Sequence, residues 1–569
     1  MKKIMFAGTA SSSGKTTISC GFMKALVDRG LKVASFKCGP DYIDPMFHEQ
    51  IVGTRAGNLD GFFLKKEELR KMLRKNSAGC DIAVLEGVMG CYDGIGFTRE
   101  ASGYEVATAT DTPIVLIANV RGMAASMTAL VRGFLEEDRE ERIRGVILNQ
   151  LPAKLFPEAK RAMETLRPGL ICYGYVPVNR ALELKSRHLG LVTPGEISDM
   201  KEKVSLAAGQ VEETVDVEGL IRLAGEAEVG FGKSAGEAED VFRKPTGEAE
   251  VGFGKPDGQS RTCLKGTTGR SECAEREITG QDVNDFRRAS EQREDSFTES
   301  SESVPDCFVK LPGLRIAVAK DRAFSFLYRD NLNWLAEHGA EPVFFSPLED
   351  REIPDGCGGL ILPGGYPELY LDGLEKNASM RMSVRQAIAG GMPTIAECGG
   401  FLYLLDRVEG QGLSGDSCQT VGEYHSSAGD SRQTAERYHS PAGSNCQNAG
   451  EYHRSDGDSR QTAESYHSLA GVIHQTGRNS RSLGRFGYIC LTAQTDGLLA
   501  AAGETIRAHE FHHYTTDDDG HGFRADKASG TGSWETGYHT GTLYAGFPHI
   551  YFPGNERAGE RFLAACARY

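Results

Sequence analysis

Over residues 1–224, short apolar runs alternate with amphipathic stretches. The runs fall at 4–7, 33–36, 82–85, 114–118, 146–148 and 171–176, with helical periodicity between them, as at 17–28. Apolar runs of strand length separated by helix-period segments predict a parallel sheet covered on both faces. From 225 the periodicity stops. The nonapeptide at 225–233 recurs at 247–255, and 225–308 carries 19 acidic residues against 11 basic ones. Such a stretch reads as a disordered linker. The α/β rhythm returns with runs at 314–319, 342–345, 360–362 and 393–396. Tyr-His then recurs every 14 residues, at 424–425, 438–439, 452–453 and 466–467. Between 414 and 468, Val421 is the sole residue drawn from Val, Ile, Leu, Met, Phe and Trp. A solenoid needs apolar stacking positions, so the repeat predicts a surface insertion; regularly spaced histidines as metal ligands are the weaker reading. The pattern resumes at 472 and runs to the end.

The expected organisation is therefore an α/β chain with a first domain at 1–224, an acidic low-complexity linker at 225–310, and a second domain at 311–569 interrupted at about 410–470. The formal net charge of −15 argues against a nucleic-acid binder. The two low-complexity stretches carry most of that charge, so the acidity says little about the substrate. No apolar run is long enough for a membrane span, and the apolar start is too short for a signal peptide. The 14 cysteines include no Cys-x-x-Cys pair, so they are expected to be reduced thiols in a cytoplasmic protein rather than a zinc site. Glycine is the outlier: 69 of 569 residues against a typical value of about 7%.

Part of that glycine sits in a loop that carries chemistry. Gly8-Thr9-Ala-Ser-Ser12-Ser13-Gly14-Lys15-Thr16-Thr17 follows a predicted strand and opens a predicted helix. Successive backbone N–H groups and a helix N-terminus there suit phosphate oxygens. Lys15 would reach the β/γ-phosphates of ATP and the Thr16 hydroxyl would meet Mg²⁺. The strict pattern places glycine where this chain has Thr9, with Gly8 one residue earlier. A nucleotide site also needs carboxylates at strand ends. Asp41 and Glu86, each just past an apolar run, are the candidate metal ligands. Asp44 and Asp93 share these segments, with turn-capping as their alternative role.

A second constellation lies at 393–405. An apolar strand runs into Glu397-Cys398-Gly399-Gly400 and then an apolar helix. This is the logic of a nucleophile elbow, with the thiol at a tight turn and a helix N-terminus favouring thiolate. Upstream, Gly364-Gly365-Tyr366 ends another strand, where glycines free backbone N–H groups for an oxyanion. The segment 507–514 supplies three candidate bases, His509, His512 and His513.

Together with Gly-Pro-Asp-Tyr-Ile-Asp-Pro (39–45), Leu-Glu-Gly-Val-Met-Gly (85–90), Ser-Arg-His-Leu-Gly-Leu (186–191), Glu-Cys-Gly-Gly-Phe-Leu-Tyr-Leu (397–404), Arg-Phe-Gly-Tyr (485–488) and His-Glu-Phe-His (509–512), these motifs resemble the cobyrinic acid a,c-diamide synthase family. The Thr9 departure is shared with that family. The resemblance implies a P-loop synthetase fused to a class I glutamine amidotransferase. It implies ATP- and glutamine-dependent amidation of the c- and a-acetates of the corrinoid cobyrinic acid, through acyl phosphate. Cys398 would be the nucleophile and His512 its base, with His509 as runner-up. Tyr514 stands where many class I enzymes have a glutamate, so a Cys–His dyad without a third member is expected. Gly365, Tyr366 and Gly399 would form the oxyanion hole. Gly8, Thr9, Ser12, Ser13, Gly14, Lys15, Thr16, Thr17, Arg187 and His188 would hold nucleotide, and Thr16, Asp41 and Glu86 would hold Mg²⁺. Lys37, Tyr42, Asp44 and Asp93 are candidates for substrate or phosphate contact. ATP, L-glutamine and cobyrinic acid are the expected small-molecule partners, with no nucleic acid or membrane, and a homodimer is left open. Two other readings stand beside this one: a nickel-sirohydrochlorin a,c-diamide synthase, and, in another class, a P-loop regulatory ATPase.

Overall fold

The computed structural model describes residues 1–182, 194–229, 313–410, 465–480, 484–530 and 532–569. Arg187, His188, most of the expected linker and the first three Tyr-His copies lie outside the described residues.

The first sheet comprises β1 (Lys2–Gly8), β2 (Val33–Cys38), β3 (Arg55–Leu59), β4 (Ile82–Glu86), β5 (Ile114–Asn119), β6 (Ile143–Asn149) and β7 (Ile171–Val176). Their spatial order is β3-β2-β4-β1-β5-β6-β7, with every pairing parallel. Six strands coincide with the apolar runs. β3 does not announce itself, because it is a margin strand whose Gly57 and Asn58 disfavour strands. Burial on both sheet faces explains the rest: Ile4, Phe6, Val84 and Ile117 pack on one side, Met5, Leu85 and Leu116 on the other. The helix Lys15–Asp28 lies on the first of these faces, where Phe22 meets Phe6 edge-on at 5.2 Å. The helices Pro194–Thr214 and Val217–Val229 close over it. The second of these helices continues past 224, so the folded part takes in the start of the first nonapeptide copy. Buried Leu220, Leu223 and Ala224 give that segment an apolar stripe.

The second half is built on a six-stranded sheet. Its spatial order is Tyr538–His539, Leu543–Gly546, β11 (Thr394–Glu397), β10 (Gly359–Leu362), β8 (Leu314–Ala319) and β9 (Ala340–Phe345). A small sheet joins β12 (Leu405–Glu409), β13 (Tyr466–Ser468) and β14 (Ile473–Asn479). An antiparallel sheet pairs β15 (Phe486–Ala493) with β16 (Thr505–Phe511), and β16 with His549–Ile550.

β13 corrects the expected insertion. The last Tyr-His copy is a paired strand, with His467 opposite Val408. His467 Nδ1 lies 2.9 Å from Glu375, and the Ser468 N–H donates to the same carboxylate at 2.8 Å. The buried Leu469 and Ala470 that follow anchor it. The ordered body thus resumes before 470.

The two halves share an aromatic seam. Phe62 stacks on Tyr488 at 4.4 Å, and Tyr42 packs on Tyr328 at 4.2 Å and Phe326 at 5.3 Å. Polar groups complete it: Tyr488 donates to Asp60 (2.9 Å), Arg507 to the Phe62 carbonyl (2.6 Å), and Asn76 and Tyr551 to Asp330 (2.7 and 3.0 Å). Burial pushes the Asp60 carboxyl up to about 6, against the hydrogen bonds from Phe62 N–H and Tyr488.

Candidate functional site

The loop after β1 turns back on its own backbone. Ser12 and Gly14 have φ of 58° and 94°, a left-handed geometry open to Gly14 without strain. The Asn149 side chain, at the end of β6, donates to the Ser13 carbonyl at 2.9 Å. Lys15 donates to the carbonyls of Ala10 (3.0 Å) and Met89 (2.5 Å), which ties the loop to the segment after β4. Burial and the neighbouring Lys37 lower the Lys15 ammonium to about 8.

Glu86 is the hub. Its Oε1 accepts from Thr16 (2.6 Å) and Lys37 (2.9 Å); its Oε2 accepts from Ser19 (2.8 Å) and lies 3.2 Å from His48 Nε2. Burial would raise this carboxyl, but Lys37, His48 and Thr16 hold it well below the usual carboxylate range. Lys37 also pairs with Asp44 at 2.7 Å. Adjacent parallel strands bring these residues together, since Lys37 and Glu86 are register partners on β2 and β4. Ser19, His48 and Asn149 carried no motif of their own in the sequence.

Asp41 caps the turn into the helix Ile43–Phe47, accepting from Ile43 and Asp44 N–H at 2.8 and 3.1 Å. Asp93 does the same for Gly90 N–H at 2.8 Å. Asp44, for which capping was an open alternative, is instead ion-paired. Tyr42 turns away from Glu86 into the seam, 5.2 Å from the His549 ring.

Cys398 stands on a tight turn between β11 and the helix Gly399–Leu404, with φ 49° and ψ −101°. That strained conformation presents Sγ 3.6 Å from the Phe511 carbonyl. A Cβ built on Gly399 would lie 3.0 Å from Gly365 N, so the two candidate oxyanion segments adjoin. Burial and then the charge of Glu368 push the Cys398 thiol up.

Strand alternation sorts the histidines. Glu510 and His512 share one side and His509 takes the other, between Phe486 and Tyr488. Burial and His549 lower His509 to about 3, so it stays neutral. His512 Nδ1 lies 2.5 Å from the Tyr514 carbonyl, Nε2 lies 2.9 Å from Glu510 Oε1, and the ring stacks on Phe547 at 3.8 Å. Both ring nitrogens of His512 are thus engaged, Nδ1 by a backbone carbonyl and Nε2 by Glu510, two residues before it. No hydrogen bond joins Cys398 to His512 among the described residues; Phe511 bridges them along the chain.

Comparison with known proteins separates the same two halves. Residues 4–192 match the CobQ/CobB/MinD/ParA nucleotide binding domain, and residues 315–485 match the CobB/CobQ-like glutamine amidotransferase domain. A cobyrinate a,c-diamide synthase of Listeria monocytogenes is 31% identical, over 98% of this chain and 97% of its own. The Clostridium tetani enzyme of that name is 30% identical over 98% of both chains. The chain belongs to the cobyrinate a,c-diamide synthase family. A third relative, from Caldanaerobacter subterraneus, is 29% identical over 99% of this chain. Membership makes the chain an α/β nucleotide-binding ligase with a glutamine amidotransferase domain, which removes the regulatory-ATPase reading. No described helix is long and apolar enough to cross a membrane.

Proposed function

We propose that the chain amidates the a- and c-acetate carboxylates of cobyrinic acid, using ATP to form acyl phosphate and glutamine as the ammonia source. A carboxylate is a poor acyl donor because oxide is a poor leaving group. Phosphorylation replaces that leaving group with phosphate, which ammonia displaces. Glycine-loop N–H groups and Lys15 would hold the phosphates, and Lys37 would meet charge on the transferring group. The oxygen donors Thr16 and Glu86, with Asp41 at the same sheet edge, suit a hard cation such as Mg²⁺. Bound there, Mg²⁺ would neutralise phosphate charge.

At the other site, Cys398 Sγ would attack the glutamine amide carbon while His512, held at Nδ1 by the Tyr514 carbonyl, takes the thiol proton at Nε2 once that nitrogen is released from Glu510. That proton leaves on the departing ammonia, and water hydrolyses the glutamyl thioester. The carrying observation is the seam: Tyr42, from the segment that caps beside Glu86, lies against His549 and Phe326 of the half that holds Cys398. The hydroxyls of Tyr42 and Tyr328 are buried without a well-formed hydrogen bond. A small cavity of about 20 Å³, mostly apolar but bordered by Asn331 and Glu397, adjoins Phe326 and Tyr328 of the seam. This supports a closed route for ammonia.

The test uses cobyrinic acid with ¹⁸O-labelled carboxylates, ATP and glutamine. Label appearing in inorganic phosphate supports acyl phosphate, and unlabelled phosphate overturns it. Nickel-sirohydrochlorin in parallel decides the substrate: turnover of that compound alone overturns the corrinoid assignment.

A further inference from the structure

Glu368 sits in the short helical turn Pro367–Leu369, which follows the oxyanion segment directly. The turn lies against the nucleophile: Pro367 Cδ is 2.9 Å from a Cβ built on Gly399. Among the carboxylates that bear on the Cys398 thiol, Glu368 has the largest effect, ahead of Glu397 and Glu510. Its charge also bears on Tyr514, beyond the His512 base. Glu368 therefore stands on the turn that packs against Gly399, with its charge reaching both the nucleophile and Tyr514.

No described side chain forms an ion pair or hydrogen bond with this carboxylate; its own backbone N–H alone meets it. Burial pushes it up to about 7. This placement works against the chemistry in the free protein, because a negative group beside a thiol disfavours thiolate. An uncompensated carboxylate in a half-buried site is also unfavourable. Both effects are relieved by a cation arriving with the substrate. Glutamine carries one, its α-ammonium, about 5 Å from its amide carbon when extended.

We propose that Glu368 is the specificity-determining residue for glutamine, binding the substrate's α-ammonium and so withdrawing its own negative field from Cys398 as glutamine arrives. The inference rests on the glutaminase reading of Cys398. It explains how the thiol is held unreactive without substrate and eased toward thiolate with it, and it gives the site a means of rejecting amides that lack an α-amino group.

The experiment measures glutamate release from glutamine, and glutarate release from glutaramic acid, the analogue without the α-amino group. It uses the full chain, Glu368→Gln and Glu368→Asp, with ammonia-driven amidation as the measure of folding. A charge-assisted contact predicts a rise of about 10- to 100-fold in the KM for glutamine in Glu368→Gln, and preference for glutamine over glutaramic acid falling by a similar factor. Glu368→Asp should recover part of both. A KM within twofold of the native value, or preference retained in full, overturns the proposal. If Glu368→Gln releases too little product to measure, preference in Glu368→Asp decides: weakened preference supports the proposal and native preference overturns it. No glutamate release by the native chain would sink the glutaminase reading itself, and the proposal with it.

Discussion

Gly400→Ala tests the elbow through a single methyl group. A Cβ at position 400 would run first into the Leu362 carbonyl oxygen, with the carbonyl carbon at 2.6 Å and the Leu362 Cβ at 2.8 Å behind it. Reaching 3.4 Å from that oxygen, where ordinary contact begins, requires more than 1 Å of movement between the turn and β10. Leu362 is backbone in a central strand flanked by β8 and β11, so the turn must give. That turn carries Cys398 Sγ and the Gly399 N–H. A misplacement of about 1 Å at a reacting centre already lowers rate by about 100-fold, and overpacking of this kind destabilises by about 1–3 kcal/mol. The assay compares glutamate release with ammonia-driven amidation by the same preparation. Glutamate release should fall about 100-fold while ammonia still drives amidation, since Glu86 and the glycine-rich loop lie in the other half. Gly133→Ala, where no atom lies within 4 Å of the added Cβ, is the matched control and should leave both activities unchanged. Glutamate release within twofold of native in Gly400→Ala would refute the geometry argued for the elbow.

Asp60 gives a prediction with a definite sign. Its carboxyl is raised to about 6 in the folded chain from an ordinary 3.8, so the folded state binds more protons between those values. Stability is therefore lost as pH rises from about 4 to 6, on the order of 3 kcal/mol by pH 7. Asp60→Asn should gain urea resistance relative to native at pH 7.5 but not at pH 4; a constant difference across that range contradicts this. Deleting 414–464 should leave activity and Tm nearly unchanged, whereas extending the deletion to 468 removes β13 and its Glu375 contacts and should lower Tm by several degrees. Equal Tm values for the two deletions would contradict the structural role of β13. With amide-¹⁵N glutamine and excess unlabelled ammonium, the product amides should keep the label. Dilution to the ratio of the pool would contradict closed transfer across the Tyr42 seam.

Most of the sheet framework was legible because strands buried on both faces leave continuous apolar runs; six of the seven strands of the first sheet did so. β3 escaped because a margin strand tolerates Gly57 and Asn58. The end of the first half was misjudged by a few residues, because a composition shift at 225 begins inside a helix. β13 escaped because its Tyr-His copy matches the copies upstream in sequence, and the anchoring residues Leu469 and Ala470 come only after it. Cys398, Lys15, Thr16 and Glu86 were legible since motif chemistry and strand ends coincide. What local sequence does not carry is pairing at a distance: Asn149 bracing the glycine-rich loop, and Tyr42 packing against Phe326 and Tyr328 in the seam. Asp41 shows that one motif carboxylate can also cap a turn, through its Oδ1.

The most direct test of a two-site machine is Cys398→Ala, assayed for amidation of cobyrinic acid with ATP and either glutamine or ammonia. Glutamine-driven amidation and glutamate release should be abolished while ammonia-driven amidation proceeds near the native rate. Loss of the ammonia-driven reaction in a folded Cys398→Ala chain, or survival of the glutamine-driven one, would contradict it.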